Sequence, residues 1–335
     1  MLNTVAVIVT YNRVQKLKQA YKAACREPLT GIVIVNNAST DGTREWLESV
    51  QNPKLTFINA SKNTGGAGGF HEGFKCALQK YNPDWIVCFD DDAYPEKGAI
   101  KKFINSDYQN DVGGVVSAVF LPNGDISEMN RPSIDPFSDW RIAVQIIKKG
   151  TAAFHIGNRA YRVNDQMDVD SGSFVGLFIR AEVIKQKIGL PQKALFLYGD
   201  DTIYTLLLRK AGYRLLFNPG LVFVHDTVTV TDSRIVYKPL WKIFYSYRNG
   251  LEIYRLVSGK YFPVVAAIKF LIWLYKVRFY KKKRIYLRMF GYGYLDGVLR
   301  RFNRTHQEVK SLERMPGFRN SDQPTGSGFP EAEEL

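Results

Sequence analysis

The chain has 335 residues, of which 45% are hydrophobic and 13% aromatic, enough for one large domain with an appendage or for two domains. That composition excludes a disordered or fibrous chain. The net charge of +14 is unevenly placed: between Lys238 and Arg304 there are 16 Lys or Arg against two acids, Glu252 and Asp296. A basic surface therefore belongs to one module, and the remainder is close to neutral. Cys25, Cys76 and Cys88 lack metal-ligand spacing, and Cys88 lies in an apolar run, so reduced thiols of a cytoplasmic protein are expected. The first residues enter a strand directly, without the basic start and cleavage site of a signal peptide.

Apolar strands alternate with helical patterns through the first half. Val5–Val9 reads as a strand, Gln15–Cys25 as a helix, Gly31–Val35 as a strand and Thr43–Val50 as a helix. Leu55–Ile58, a helix around Phe70–Lys80 and the strand Trp85–Phe89 continue the series. This order predicts an α/β protein with a doubly wound, mainly parallel sheet. In such sheets ligands sit beyond the strands' carboxyl ends. Thr10-Tyr11-Asn12, Asn36-Asn37 and Asp90-Asp91-Asp92 all follow strands and should line one crevice.

Farther along, Val112–Leu121 is strand-like and 127–162 has no clear periodicity. A glycine-containing loop and strand follow over Asp170–Arg180. Phe196-Leu-Tyr-Gly-Asp200-Asp201 leads into a helix reaching Ala211. Leu215–Pro219 and Leu221–Val224 read as two strands, the second ending in His225-Asp226. Residues 261–275 are apolar apart from Lys269, and Lys281-Lys-Lys-Arg284 follows. Fifteen positions fall short of the roughly 20 needed to span a bilayer, so an in-plane helix on an anionic membrane surface is expected. From Ser311 the polar, Gly/Pro-rich and then acidic sequence reads as a disordered tail. The resulting division is 1–235 for the α/β unit, 236–310 for the basic helical region and 311–335 for the tail.

Three carboxylates after a buried strand repel one another unless a cation sits among them, and their oxygen donors suit Mg²⁺ or Mn²⁺. Asn36 offers both a donor and an acceptor at a strand end, matching the edge of a uracil base. Ser39, Thr40 or Asp41 can cap the helix that follows Gly42. In Asn63-Thr-Gly65-Gly66-Ala-Gly68-Gly69-Phe70, four glycines in five positions leave backbone N–H groups open to a diphosphate. Asp200-Asp201 fits an N-terminal acid pair favoured by the helix dipole, or a catalytic pair.

Taken in order and spacing, Val5–Asn12, Asn36–Thr43, Asn63–Phe70, Asp90–Asp92 and Tyr198–Arg209 resemble family 2 glycosyltransferases over about residues 3–250. The glycine block, the triple Asp and the later strand-end His resemble the galactofuranosyltransferase branch most, with rhamnosyltransferases close behind. The resemblance implies a GT-A fold, a nucleotide-sugar donor, a divalent metal and inversion at the anomeric carbon. It implies that Asp92 and His225 hold the metal with help from Asp90. Thr10, Asn12, Asn36, Asp41, Asn63, Gly65, Gly66, Asp90 and Asp91 would bind donor. Asp201 would act as general base, supported by Asp200. The implied partners are a UDP-sugar, a lipid-linked glycan acceptor and the inner face of the cell membrane. A nucleotidyltransferase would leave Asp200, Asp201 and His225 without a task, and nucleic acid would be repelled by the acidic cluster.

Overall fold

The computed structural model describes residues 2–135, 154–163, 165–227 and 236–314. Nine strands form one sheet: β1 (Thr4–Thr10), β2 (Gly31–Asn36), β3 (Leu55–Asn59), β4 (Trp85–Asp90), β5 (Ala93–Pro95), β6 (Val112–Phe120), β7 (Met167–Val169), β8 (Leu177–Arg180) and β9 (Arg214–His225). Their order is β3-β2-β1-β4-β8-β6-β9-β5, with β7 paired to β9. The β3-β2-β1-β4 half is parallel, whereas β8 enters antiparallel between β4 and β6. The two strands expected at Leu215–Pro219 and Leu221–Val224 are one strand, β9, with a register shift opposite Ser117/Ala118 that accommodates Pro219 and Gly220.

The buried β1 strand feeds two cores by simple alternation. Ala6 and Ile8 join Leu17, Ile32, Ile34 and Phe103 on one face, while Val5 and Val7 join Phe70, Phe74 and Tyr204 on the other. Helices α1 (Val14–Ala24), α2 (Thr43–Ser49) and α4 (Ala99–Ile104) serve the first face; α3 (Gly65–Tyr81) and α5 (Asp200–Lys210) serve the second. The glycine block is not a loop before α3 but its first turns. A Cβ at Gly69 would lie 2.4 Å from Val9, and one at Gly73 2.4 Å from Val7, so these glycines let α3 approach β1 closely.

Beyond residue 236, α6 (Lys242–Ser258), α7 (Phe262–Tyr275), α8 (Lys283–Val298) and α9 (His306–Ser311) build a separate aromatic core around Phe244, Tyr247, Trp273, Tyr286 and Phe290. The run Lys242–Phe279 is long and apolar enough by length and composition to cross a membrane. It nevertheless turns back on itself near Gly259, whose φ of 52° suits glycine. Tyr247 on α6 stacks on Trp273 of α7 with centroids 4.2 Å apart, and Arg255 lies over Phe262. Helix α8 then lies against α6 through Gly293 and Gly297, whose added Cβ atoms would meet the carbonyls of Phe244 and Arg248. Residues 315–335, most of the expected disordered tail, lie outside the described residues.

The two kinds of glycine in α3 are separable by stability. Gly69→Ala is expected to destabilise by about 1–3 kcal/mol through overpacking against Val9. Gly66→Ala, which meets nothing within 4 Å, should leave stability unchanged or slightly raised. Denaturant unfolding of both variants checks this.

Candidate active site

The carboxyl ends of β1, β2 and β4 lie side by side because the parallel register matches Val9 with Asp90 and Thr10 with Asn36. The Thr10 hydroxyl donates to Asp91 Oδ2 at 2.7 Å, and the Tyr11 N–H reaches the same oxygen at 3.3 Å. The next corner is made by β5, a short strand antiparallel to β9 that pairs Ala93 with His225. The N–H of Asp226 donates to the Asp92 carbonyl at 2.8 Å. These pairings bring His225 Nε2 within 3.2 Å of Asp92 Oδ1, across 133 residues of sequence.

Asp90, Asp92 and His225 each offer a ligand atom, all within 4.8 Å of one another. Two carboxylate oxygens and an imidazole nitrogen form a donor set suited to a divalent cation such as Mn²⁺ or Mg²⁺. Asn130 sets the imidazole. Its Oδ1 accepts from Ser127 Oγ at 2.6 Å and lies 2.7 Å from His225 Nδ1, while its Nδ2 donates to Ser173 at 3.0 Å. With Nδ1 donating to Asn130, Nε2 donates to Asp92 when the ring is protonated and can lend its lone pair to a cation when the ring is neutral. The residues present therefore fit a cation.

Charges in this corner are mutually adjusted. Burial, then the charge of Asp92, pushes Asp90 up to about 6. Burial pushes Asp91 up to about 7, against the Thr10 hydrogen bond. Burial works on Asp92 in the same direction, but His225 and Arg13 outweigh it and hold Asp92 below its ordinary value. His225 is raised, since its bond and attraction to Asp92 overcome burial. Arg13 is the cation that the sequence reading missed: its Nη1 lies 2.5 Å from Asp92 Oδ2 and 3.6 Å from Asp91 Oδ1. Its only signal was its place directly after the strand-end Thr10-Tyr11-Asn12. Asn130, in a stretch without periodicity, had none.

The other expected donor residues form a network beside this corner. Asn12, at φ 53°, donates its N–H to Ser39 and accepts from the Thr40 N–H. Asn36 donates to Asn59 and accepts from the Ser39 N–H, which uses one donor and one acceptor of its amide. Asp41 accepts from the N–H of Val14 at 2.8 Å and from Thr43, tying the starts of α1 and α2 together. Asn63 accepts from the Gly65 N–H and from Asn37, whose own oxygen accepts from the Thr64 N–H. Gly65, at φ 72°, has no room for a Cβ beside the Phe196 carbonyl, whereas Gly66 faces open space.

Asp200 and Asp201 open α5 at the same crevice, near enough for their charges to act on Asp90. Burial, then the Asp201 charge, pushes Asp200 well above the ordinary carboxylate range. Burial also raises Asp201, although hydrogen bonds from Thr202 hold it back. Asp168 and Asp170 are engaged in ion pairs with Arg214 and Arg209.

Comparison with known proteins agrees with this geometry. Residues 5–167, just under half of the chain, match the model described as Glycosyl transferase family 2. Galactofuranosyltransferase GlfT1 of Mycolicibacterium smegmatis is 25% identical over 210 residues, 62% of this chain and 65% of that protein. GlfT1 of Mycobacterium tuberculosis is 32% identical over 98 residues, 28% of this chain and 32% of that one. The chain thus matches slightly under two thirds of the first relative's length. Among solved structures, S. aureus TarS 1–349 with UDP-GlcNAc has a TM-score of 0.50 at 13% identity, covering 93% of this chain and 76% of that one. A mannosyltransferase of Pyrobaculum calidifontis with GDP-Man and Mn²⁺ also has a TM-score of 0.50, at 14% identity, covering 90% and 88%. The fold is the GT-A fold of these enzymes.

Burial of Asp91 has a consequence for stability. The folded protein holds this proton more tightly than the unfolded chain does. The associated stability is fully present below the ordinary carboxylate value of 3.8 and is lost as pH rises through about 7. In metal-free protein, Asp91→Asn should therefore be more stable than the parent by about 2–4 kcal/mol at pH 8 and nearly equal to it at pH 4. Denaturant unfolding at the two pH values, with chelator present, measures the difference.

Proposed function

We propose that this protein is a metal-dependent, inverting glycosyltransferase that moves galactofuranose from UDP-galactofuranose onto a lipid-linked glycan in bacterial polysaccharide, cell-wall or O-antigen biosynthesis. The observation that carries the reading is the Asp90, Asp92 and His225 donor set lying in one crevice with the Asp200-Asp201 pair. The galactofuranosyltransferase relatives favour this sugar over dTDP-rhamnose or UDP-galactopyranose. Asp92, His225 and Asp90 would hold the cation, which when bound offsets charge on the diphosphate leaving group. Thr10, Asn36 and Gly66, which has open space beside it, would lie on the donor side.

Asp201 takes the proton of the acceptor hydroxyl as its oxygen bonds to the anomeric carbon. The carbon–phosphate-oxygen bond breaks on the opposite face, and its electron pair leaves with UDP. A raised carboxyl pKa suits this task, and a second acid alongside keeps it raised.

The acceptor's lipid would be met by α7. Phe262, Ala266 and Trp273 face the protein, while Val264, Ile268, Leu271 and Tyr275 present an outward stripe that is 62%, 51%, 66% and 59% exposed. An apolar stripe followed by Lys281, Lys282, Lys283 and Arg284 suits an anionic cytoplasmic membrane surface.

Metal-dependent transfer should appear with UDP-galactofuranose in a panel that includes dTDP-rhamnose and UDP-galactopyranose; transfer from another sugar alone would overturn the donor assignment. Asp201→Asn should lower transfer by about 10²–10⁴-fold while UDP binding persists. Loss of UDP binding in that variant would reject the base role. Asp92→Ala and His225→Ala should each weaken Mn²⁺ binding in the presence of UDP by about 10-fold or more, read by calorimetry. Replacing Val264, Ile268 and Leu271 together by Ser should abolish sedimentation with anionic vesicles, with the fold retained by circular dichroism; unchanged sedimentation would sink the membrane role.

A further inference from the structure

The segment that delivers Asp200 and Asp201 is a strained turn. Phe196 has φ 65° and ψ −63°, Tyr198 has φ 67° and Gly199 has φ 73°. Two bulky residues in the left-handed half of backbone space cost about 1–3 kcal/mol each and persist only where their surroundings over-determine them. Those surroundings come from the C-terminal helices. Asn249 on α6 donates Nδ2 to three carbonyls of the turn, Leu195 at 3.0 Å, Leu197 at 2.9 Å and Tyr198 at 2.7 Å.

Arg248 completes the grip. It is 0% exposed and has no carboxylate within ion-pair distance among the described residues. Its Nη2 donates to the carbonyls of Ala194 and Leu195, and its Nε donates to Asn249 Oδ1. The guanidinium lies among the rings of Phe244, Tyr245 and Phe302. The Phe196 ring is stacked on His306 at 4.1 Å and on Tyr245 at 4.9 Å. On the other side, the Phe196 carbonyl accepts from the Ala67 N–H in the first turn of α3. One turn therefore joins the glycine block, the acid pair and the C-terminal helices.

We infer that Arg248 and Asn249 are positioning residues for the reaction: they hold the Phe196–Gly199 turn in its strained form and so set Asp201 against the acceptor hydroxyl. The catalytic unit then needs α6 as well as the sheet, independently of any membrane contact. A buried arginine with no carboxylate in ion-pair contact among the described residues, and only the more distant charge of Asp296, is costly as a stability device, which is the reason to look for its return in geometry.

This inference rests on the base role of Asp201, so the test has a readout that does not. In the full chain, Asn249→Asp keeps the side-chain shape but sets oxygen against three carbonyls; Asn249→Ala removes the donors without adding charge. Each variant should lower the rate of transfer from UDP-galactofuranose by about 100-fold at saturating donor, with UDP affinity in Mn²⁺ unchanged. Amide exchange over residues 195–201 should quicken while the strands β1 and β4 stay protected. Asn249→Ala stands alone should Asn249→Asp not fold. A rate within threefold of the parent, or exchange that quickens equally across the sheet, would overturn the positioning role. If Asp201→Asn retains transfer, the base assignment fails, yet local exchange in the Asn249 variants still decides whether the clamp exists.

Discussion

Carboxylate repulsion at one sheet edge is the constraint around which this molecule is arranged. Asp90 ends a strand whose other residues are buried, Asp91 and Asp92 follow it, and Asp200 and Asp201 open a helix beside them. Water reaches Asp90, Asp200 and Asp201 only in part and Asp91 and Asp92 hardly at all, so their charges are poorly screened and are offset by held protons, cations or hydrogen bonds. Thr10 takes Asp91, Arg13 and His225 take Asp92, and Thr202 takes Asp201. Crowded acids of raised pKa are costly for stability and useful for chemistry, and such groups cluster at functional sites.

The second organising feature is the join between the sheet and the C-terminal helices. Leu195 and Ile203 of the sheet-bearing unit pack with Ile253, Leu256 and Phe302, and Arg248 and Asn249 reach across the same seam. The basic module is therefore more than an attachment. Its inward surfaces shape the turn before the acid pair, while α7 turns its outward stripe to solvent. The hydropathy of Lys242–Phe279 mixes two antiparallel helices that share aromatic stacks, so a linear count of apolar residues misstates what the segment does.

Particular elements show where sequence reading succeeds. Strands β1, β2 and β4 are short, continuous and apolar, and the residue after each is polar, so the crevice was legible. The glycine block was legible only as backbone freedom. In the fold, Gly69 and Gly73 serve close packing of α3 on β1, Gly65 serves a contact with the Phe196 carbonyl, and Gly66 alone stays open. A missing Cβ has the same appearance in sequence whether it makes room for a neighbour or for a ligand. Asp41 presents a similar ambiguity, since its carboxylate caps two helix starts.

Local pattern by itself determined the α/β alternation, the three acids at a strand end, the acid pair at a helix start and the basic apolar segment after residue 236. All of these depend on residues within a few positions of one another, where hydrophobic period and charge spacing act directly. Tertiary structure alone decided that His225 reaches Asp92, that Asn130 orients that imidazole, that Arg13 joins the acidic corner and that Asn249 holds the turn before Asp200. Each is a contact between residues far apart in the chain, made by strand register or helix packing. Such contacts arise only when the sheet closes β9 against β5 and α6 settles against α5.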